Sequence, residues 1–364
     1  MGRFFDAGVE NGDGGASELG ETRVRPQGLI GAGDWRNTGT LTFSLFLRFS
    51  PFPSPSPPPS PQDAHIISPL QGYPGHCLYA VFDGHGGKNA AKYAADKGTG
   101  MVAVLLKLLA TQSPAFDPEA AGAERVLGEV LRQAFLKVDE EMRRGFDQVS
   151  DERSGCTAIA VLVTPTHIIT ANAGDSRALL SRNSQNVPLS EDHKPWLEGE
   201  KKRIEDAGGC VSMKRVDGEL AVSRSLGDFQ FKMGDLPPEN FRVTGNPDLN
   251  YQVRNPQQDQ FLVLACDGIW DVMENDEVIT EVMKYVEMGE ANPMLMCEEL
   301  MHTCLAKHSR DNMSVIVSLL PAGKTLIAPG KPGVAPIRAE REAAEKAAAE
   351  KEAAERGGGD AYEG

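Results

Sequence analysis

Tyr79-Ala-Val-Phe-Asp-Gly-His-Gly-Gly87 is the stretch from which the fold is read. An apolar run of strand length ends abruptly on Asp83 and a glycine. A carboxylate at a strand end points out of the sheet, and Gly84 lets the backbone turn so that its carbonyl also faces an ion. Asp-Gly is equally a common turn. The device recurs at Phe261-Leu-Val-Leu-Ala-Cys-Asp-Gly268, where Asp267 ends a wholly apolar run. Asp311, in Ser309-Arg-Asp-Asn-Met-Ser314, stands just before such a run instead of after one. If neighbouring strands bring these ends together, three carboxylates crowd one place and repel one another unless cations sit among them. Oxygen-only donors suit Mg²⁺ or Mn²⁺ rather than zinc. Asp175, in Asn172-Ala-Gly-Asp-Ser-Arg177, is a fourth candidate at a hairpin-like turn, where an Asp that merely caps the turn reads equally well.

Outward from these stretches, apolar runs of strand length lie at 78–82, 158–163, 167–171, 261–266 and 314–320. Helical periodicity covers 89–96, 101–110 and 123–146, the last with Val126, Leu127, Val130, Leu131, Phe135, Val138 and Met142 on one stripe. Shorter helices are expected at 196–207, stopped by Gly208, and at 276–287 and 293–307. Strands and helices do not alternate strictly. That favours an α+β arrangement, with helices packed on antiparallel sheets, over a doubly wound parallel sheet.

The 364 residues, 40% hydrophobic, suffice for a sizeable core. Cys77, Cys156, Cys210, Cys266, Cys297 and Cys304 lie far apart and form no C-x-x-C pair, which argues against a zinc site or a disulfide framework. A reducing compartment is expected, the cytoplasm, with the nucleus also open. The formal charge of −15 repels nucleic acid phosphates, and no basic run offsets it. The best apolar run, 41–49, is interrupted by Ser44 and Arg48 and is too short to span a bilayer. Met1-Gly2 opens the chain as a myristoylation site would, but Asp6 stands where that motif takes Ser or Thr, so lipidation stays open. A soluble monomer is the expectation.

Residues 1–61 read as a mostly disordered N-terminal region, with SPFPSPSPPPSP at 50–61 favouring polyproline conformations. The globular domain runs over 62–320, a linker over 321–337, and a charged, Ala-rich tail over 338–364. In the tail, Glu342 and Lys346, or Glu352 and Arg356, are spaced to support an exposed, solvated helix.

The order and wording of the motifs resemble the protein phosphatase 2C family. The matching pieces are DAH at 63–65, VFDGHGG at 81–87, SGCTA at 154–158, NAGDSR at 172–177, EDHKP at 191–195, RIEDAGGCV at 203–211, AVSRSLGD at 221–228, ACDGIWDV at 265–272 and SRDNMSV at 309–315. The resemblance implies two packed antiparallel sheets flanked by helices, a four-layer αββα sandwich, with a binuclear Mg²⁺ or Mn²⁺ centre at one edge. It implies that Asp83 bridges both ions, that the Gly84 carbonyl binds the second, and that Asp267 and Asp311 bind the first. Asp175 resembles a residue that helps hold a weaker third ion, and His85 occupies the place of the proposed general acid. The implied reaction is hydrolysis of phosphoserine and phosphothreonine in protein substrates. A water bridging two divalent ions loses its proton easily and becomes the nucleophile, and an imidazole near neutral pKa protonates the leaving alkoxide. Substrate preference is expected to depend partly on a variable flap within 229–250.

A cysteine-based tyrosine phosphatase needs a Cys separated by five residues from an Arg, and the closest spacing, Cys210 to Arg215, is one residue short. GDxHG, GNHE and kinase signatures are absent. The alternative of another class is a noncatalytic or weakened member that keeps the fold and binds phosphoproteins or regulators. Its motive lies upstream of the DAH motif. Gly28-Leu29 and Trp35-Arg36 keep the family spacing to each other, and Arg36 matches a phosphate-binding arginine, but 40–61 separates them from Gln62-Asp63. Without 40–61 the chain reads Arg36-Asn-Thr-Gly-Gln62-Asp63 and the register is restored, so 40–61 reads as an insertion. Gln62 still stands where the family has a metal-binding glutamate. A chain lacking 40–61 and carrying Gln62→Glu is therefore expected to need less metal and to melt higher.

Overall fold

Cys77–Phe82 shows how a wholly apolar run becomes a central strand. Side chains of a strand alternate between its faces. Leu78, Ala80 and Phe82 pack against helices, while Tyr79 and Val81 face a second sheet. With both faces buried, no polar alternation survives in the sequence.

The computed structural model describes residues 41–47 and 62–357, apart from 113–116, 119, 148 and 150. In chain order its elements begin with β1 (Leu41–Leu47), β2 (Ala64–Pro69), β3 (Cys77–Phe82) and the short β4 (Gly84–His85). Three helices follow, α1 (Asn89–Ala95), α2 (Met101–Thr111) and α3 (Ala123–Phe146). Next come β5 (Gly155–Cys156), β6 (Ala158–Val163), β7 (His167–Ala173), β8 (Arg177–Arg182) and β9 (Gln185–Pro188). Helix α4 (Glu198–Asp206) precedes β10 (Val211–Ser212), β11 (Arg215–Val216) and β12 (Leu226–Gly227). The remainder is β13 (Asp248–Val253), β14 (Asp259–Ala265), α5 (Asp267–Trp270), α6 (Asn275–Glu287), α7 (Pro293–Ala306), β15 (Met313–Leu319), α8 (Pro321–Leu326) and α9 (Ala335–Gly357).

Two five-stranded antiparallel sheets, ordered β1-β15-β14-β8-β9 and β13-β7-β6-β3-β2, pack face to face. Between them lie Tyr79, Val161 and Ile168 of one sheet and Leu180, Leu262 and Ile316 of the other. On the outer face of β3 and β6, α2 and α3 contribute Met101, Leu105, Leu131 and Phe135. On the outer face of β14 and β15, α6 and α7 contribute Val282, Val286, Leu300 and Met301. Each such side chain stabilises by ~1.5–3 kcal/mol relative to exposure. The result is the expected four-layer αββα sandwich. Among the described residues, no helix is long and apolar enough to cross a membrane.

Two expectations about the flanks need correction. Leu41–Leu47 lies within the stretch read as insertion and disordered region, yet it is a strand, paired antiparallel with β15 from Leu41↔Leu319 to Leu47↔Met313. Alternating and aromatic apolar residues supply strand propensity there, and β15 offers an otherwise open edge. The Ser/Pro run itself falls outside the described residues. The supposed linker and solvated tail also pack. Ala322 and Val334 are buried, and Arg338 and Arg341 pair with Glu298 and Glu299 of α7 at 2.5 and 2.8 Å. Residues 342–348 of α9 are exposed.

Candidate active site and metal centre

Strand pairing determines where the acids meet. β14 and β15 run antiparallel with Ala265 opposite Val315, so the end of one strand lies beside the start of the other. β3 packs against both from the facing sheet. Asp83, leaving β3, thereby meets Asp267, leaving β14, and the Asp311 that precedes β15. Close packing shapes the turns. A Cβ on Gly84 would lie 2.2 Å from the Gln62 carbonyl oxygen, and one on Gly268 would lie 2.1 Å from that of Asn312, so both positions admit only glycine.

Asp83 faces both Asp63 and Asp267, its carboxyl close enough to interact with each. Burial, with Asp63, Asp267 and Asp175 nearby, holds the Asp83 carboxyl well above the usual carboxylate range. Burial and the charges of Asp175, Asp311 and Asp271 push Asp267 up to about 7. Burial likewise raises Asp63, although Ser314 Oγ donates to its Oδ2 at 2.6 Å. Crowded carboxylates of this kind are a site short of positive charge. Lys194 Nζ, paired with Asp175 Oδ2, offsets part of it.

The donor set fits hard divalent ions. Asp63 Oδ1 is buried without a hydrogen-bond partner, as an oxygen waiting for a cation would be. Cys266 Sγ lies within 4.8 Å of a carboxylate oxygen of Asp83 and of Asp267, close enough to share an ion with them. It instead donates to the Asn312 carbonyl and accepts from Ser314 N, and burial keeps its thiol protonated. Carboxylate and carbonyl oxygens therefore remain as ligands, as Mg²⁺ or Mn²⁺ prefers.

His85 follows Gly84 on β4, and its Nε2 lies 2.7 Å from Asp228 Oδ2. Burial works against a charged imidazole, but Asp228 outweighs it and holds His85 above its ordinary value. Gln62 Oε1 accepts from Gly87 N at 3.2 Å.

Of the residues singled out from sequence, Asp83, Gly84, His85, Asp175, Asp267 and Asp311 converge on this edge, whereas Arg36 lies outside the described residues. Sequence reasoning gave no role to Asp63, Asp271 or Asp228. Asp271 had a signal, since it follows Asp267 by one helical turn. Asp228 had none, because the contact that matters joins residues far apart in the chain.

A family model described as Protein phosphatase 2C matches residues 60–313. Protein phosphatase 1A of Homo sapiens is 39% identical over 287 residues, covering 78% of this chain and 71% of that protein. Protein phosphatase 1B of Mus musculus is 40% identical over 265 residues, covering 70% of this chain and 66% of that one. Among solved structures, a phosphatase from a pathogenic strain of Toxoplasma gondii superposes with a TM-score of 0.60 at 24% identity, covering 77% of this chain and 92% of its own. A C. elegans sex determining protein gives 0.62 at 23% identity, covering 73% and 63%. At those identities the two structures speak for the fold.

Proposed function

Because the chain belongs to the protein phosphatase 2C family, and is by that membership a protein serine/threonine phosphatase, we propose that it hydrolyses phosphoserine and phosphothreonine at the acidic edge of its sandwich, using Mg²⁺ or Mn²⁺. The observation that carries this reading is the convergence of the buried Asp63 and the half-buried Asp83 and Asp267 from the strand ends of both sheets, a crowding of carboxyls that cations would hold ionised together. Two such ions supply an acidified water and neutralise phosphate charge.

This chain's own groups then have separate tasks. Asp83 and the Gly84 carbonyl would hold an ion from the β3 side, and Asp267 and Asp311 would hold one from the β14–β15 side. Asp175, which pairs with Lys194, would serve a third. His85 gives a proton to the serine or threonine oxygen as the P–O ester bond breaks. A second reading, a weakened phosphatase, is favoured by Gln62, whose neutral amide is engaged by Gly87 N.

The test is turnover of a phosphothreonine peptide with added Mn²⁺ and after exhaustive chelation, for the unaltered chain, Asp83→Asn and Asp267→Asn. Chelation should abolish activity, and each variant should lose several orders of magnitude while keeping its circular dichroism. Full activity after chelation, verified by metal analysis, would remove the reading.

A further inference from the structure

We propose that Asp228 is the positioning residue for His85: its carboxylate accepts the Nε2 proton and so presents Nδ1 to the departing serine or threonine oxygen. The proposal rests on the reading of His85 as proton donor and deepens it.

Asp228 is 1% exposed, and its Oδ2 accepts from His85 Nε2 at 2.7 Å and from Ser225 Oγ at 2.5 Å. A buried carboxylate needs hydrogen bonds or a counter-charge, and here they come from a hydroxyl and this imidazole. The pair is built into the backbone. β12, β5 and β4 form one small sheet, with Gly227 opposite Gly155 and Gly155 opposite His85. A Cβ on Gly155 would fall 2.0 Å from Asp228 Oδ2 and 2.5 Å from His85 Nε2, so glycine makes the contact possible. The turn is pinned from behind. Asp139 accepts from Gly227 N at 2.8 Å, and the fully buried Lys232 bonds Asp139 and the Ser225 carbonyl at 2.7 and 2.8 Å. Asp228 itself has φ 52°, a left-handed conformation that Asp and Asn tolerate better than other side chains.

An imidazole has two ring nitrogens, and a partner on one decides the work of the other. With Nε2–H held by Asp228, the proton that moves is on Nδ1. Water forms the new P–O bond, the ester P–O bond breaks, and its electron pair goes to the alcohol oxygen, which takes the Nδ1 proton. The imidazole is left neutral and regains a proton from solvent.

Asp228→Asn suits the same backbone, so its effect reads the carboxylate and not the turn. With the Mn²⁺-loaded full chain, kcat is measured on a phosphothreonine peptide and on p-nitrophenyl phosphate, whose leaving group needs no proton. Asp228→Asn should lower the peptide rate by about tenfold or more, within the ~10²–10⁴-fold that general-acid assistance supplies, and leave the aryl rate nearly unchanged. The double variant with His85→Gln should be no slower than His85→Gln alone. Equal losses on both substrates, or additive losses in the double variant, overturn the Asp228 proposal while His85→Gln still shows the substrate split. Absence of that split in His85→Gln overturns the donor reading and this proposal with it. Should Asp228→Asn fail to fold, ¹⁵N shifts of the unaltered protein's neutral His85 decide: a proton on Nε2 supports the proposal, and one on Nδ1 overturns it.

Discussion

Gln62 and Asp63 are neighbours with opposite tasks. The Asp63 carboxylate joins the buried acids, while the Gln62 amide steadies the turn through Gly87 N. Glu at 62 adds a charged ligand on the Gly84 side, where the Gln62 backbone already presses. Without metal the same charge joins the repulsion. Gln62→Glu should therefore tighten Mn²⁺ binding, by roughly tenfold given that altered ligand shells change affinity ~10–100-fold. The chelated variant should melt below the unaltered chain. Calorimetric titration and a metal-free thermal scan check both signs, and no change in either would mean that side chain 62 does not reach the ions. At this scale Asp83, Asp267 and Asp311 could be read from strand ends, since each sits beside an apolar run. Asp228 could not, since its partner lies in a different motif and only β12–β5–β4 pairing joins them.

Among the elements, β3, β6, α3, α6 and α7 appear within a residue or two of their sequence expectations, because buried runs and helical stripes leave a periodic trace. β1 does not. Read as part of an insertion, it pairs along the whole of β15, a strand buried at every position, and α7 lies against both. The expectation that removing 40–61 raises the melting point therefore reverses. Deletion takes away a seven-residue partner and leaves β15 groups unpaired, each costing ~1–3 kcal/mol when buried. The deletion variant should melt several degrees lower and aggregate more readily. A differential scan of the two chains tests this, and an equal or higher midpoint for the deletion would show that β1 contributes nothing to the sheet.

For the whole molecule, the open question is where the folded unit ends. Burial and the Arg341 guanidinium push His302 down to about 4, so a neutral imidazole accepts from Arg341 Nη1 at 2.7 Å. The same Arg341 meets Glu299, which is 2% exposed. Arg341→Ala should cost roughly 1–3 kcal/mol, the usual loss when a buried charged partner is left short of hydrogen bonds, with turnover at saturating Mn²⁺ unchanged. Urea unfolding reads it, and an unaltered midpoint would mean that α9 does not dock in solution. The sequence alone determined the fold class, the order of the central elements and the chemistry of the acids, because burial on both faces forces apolar runs and a hard-ion site demands carboxylates. Only the tertiary structure decided that residues 41–47 complete a sheet, that the tail is anchored to α7, and that Asp228 holds His85. Each is a contact between segments far apart in the chain, whose geometry no local pattern encodes.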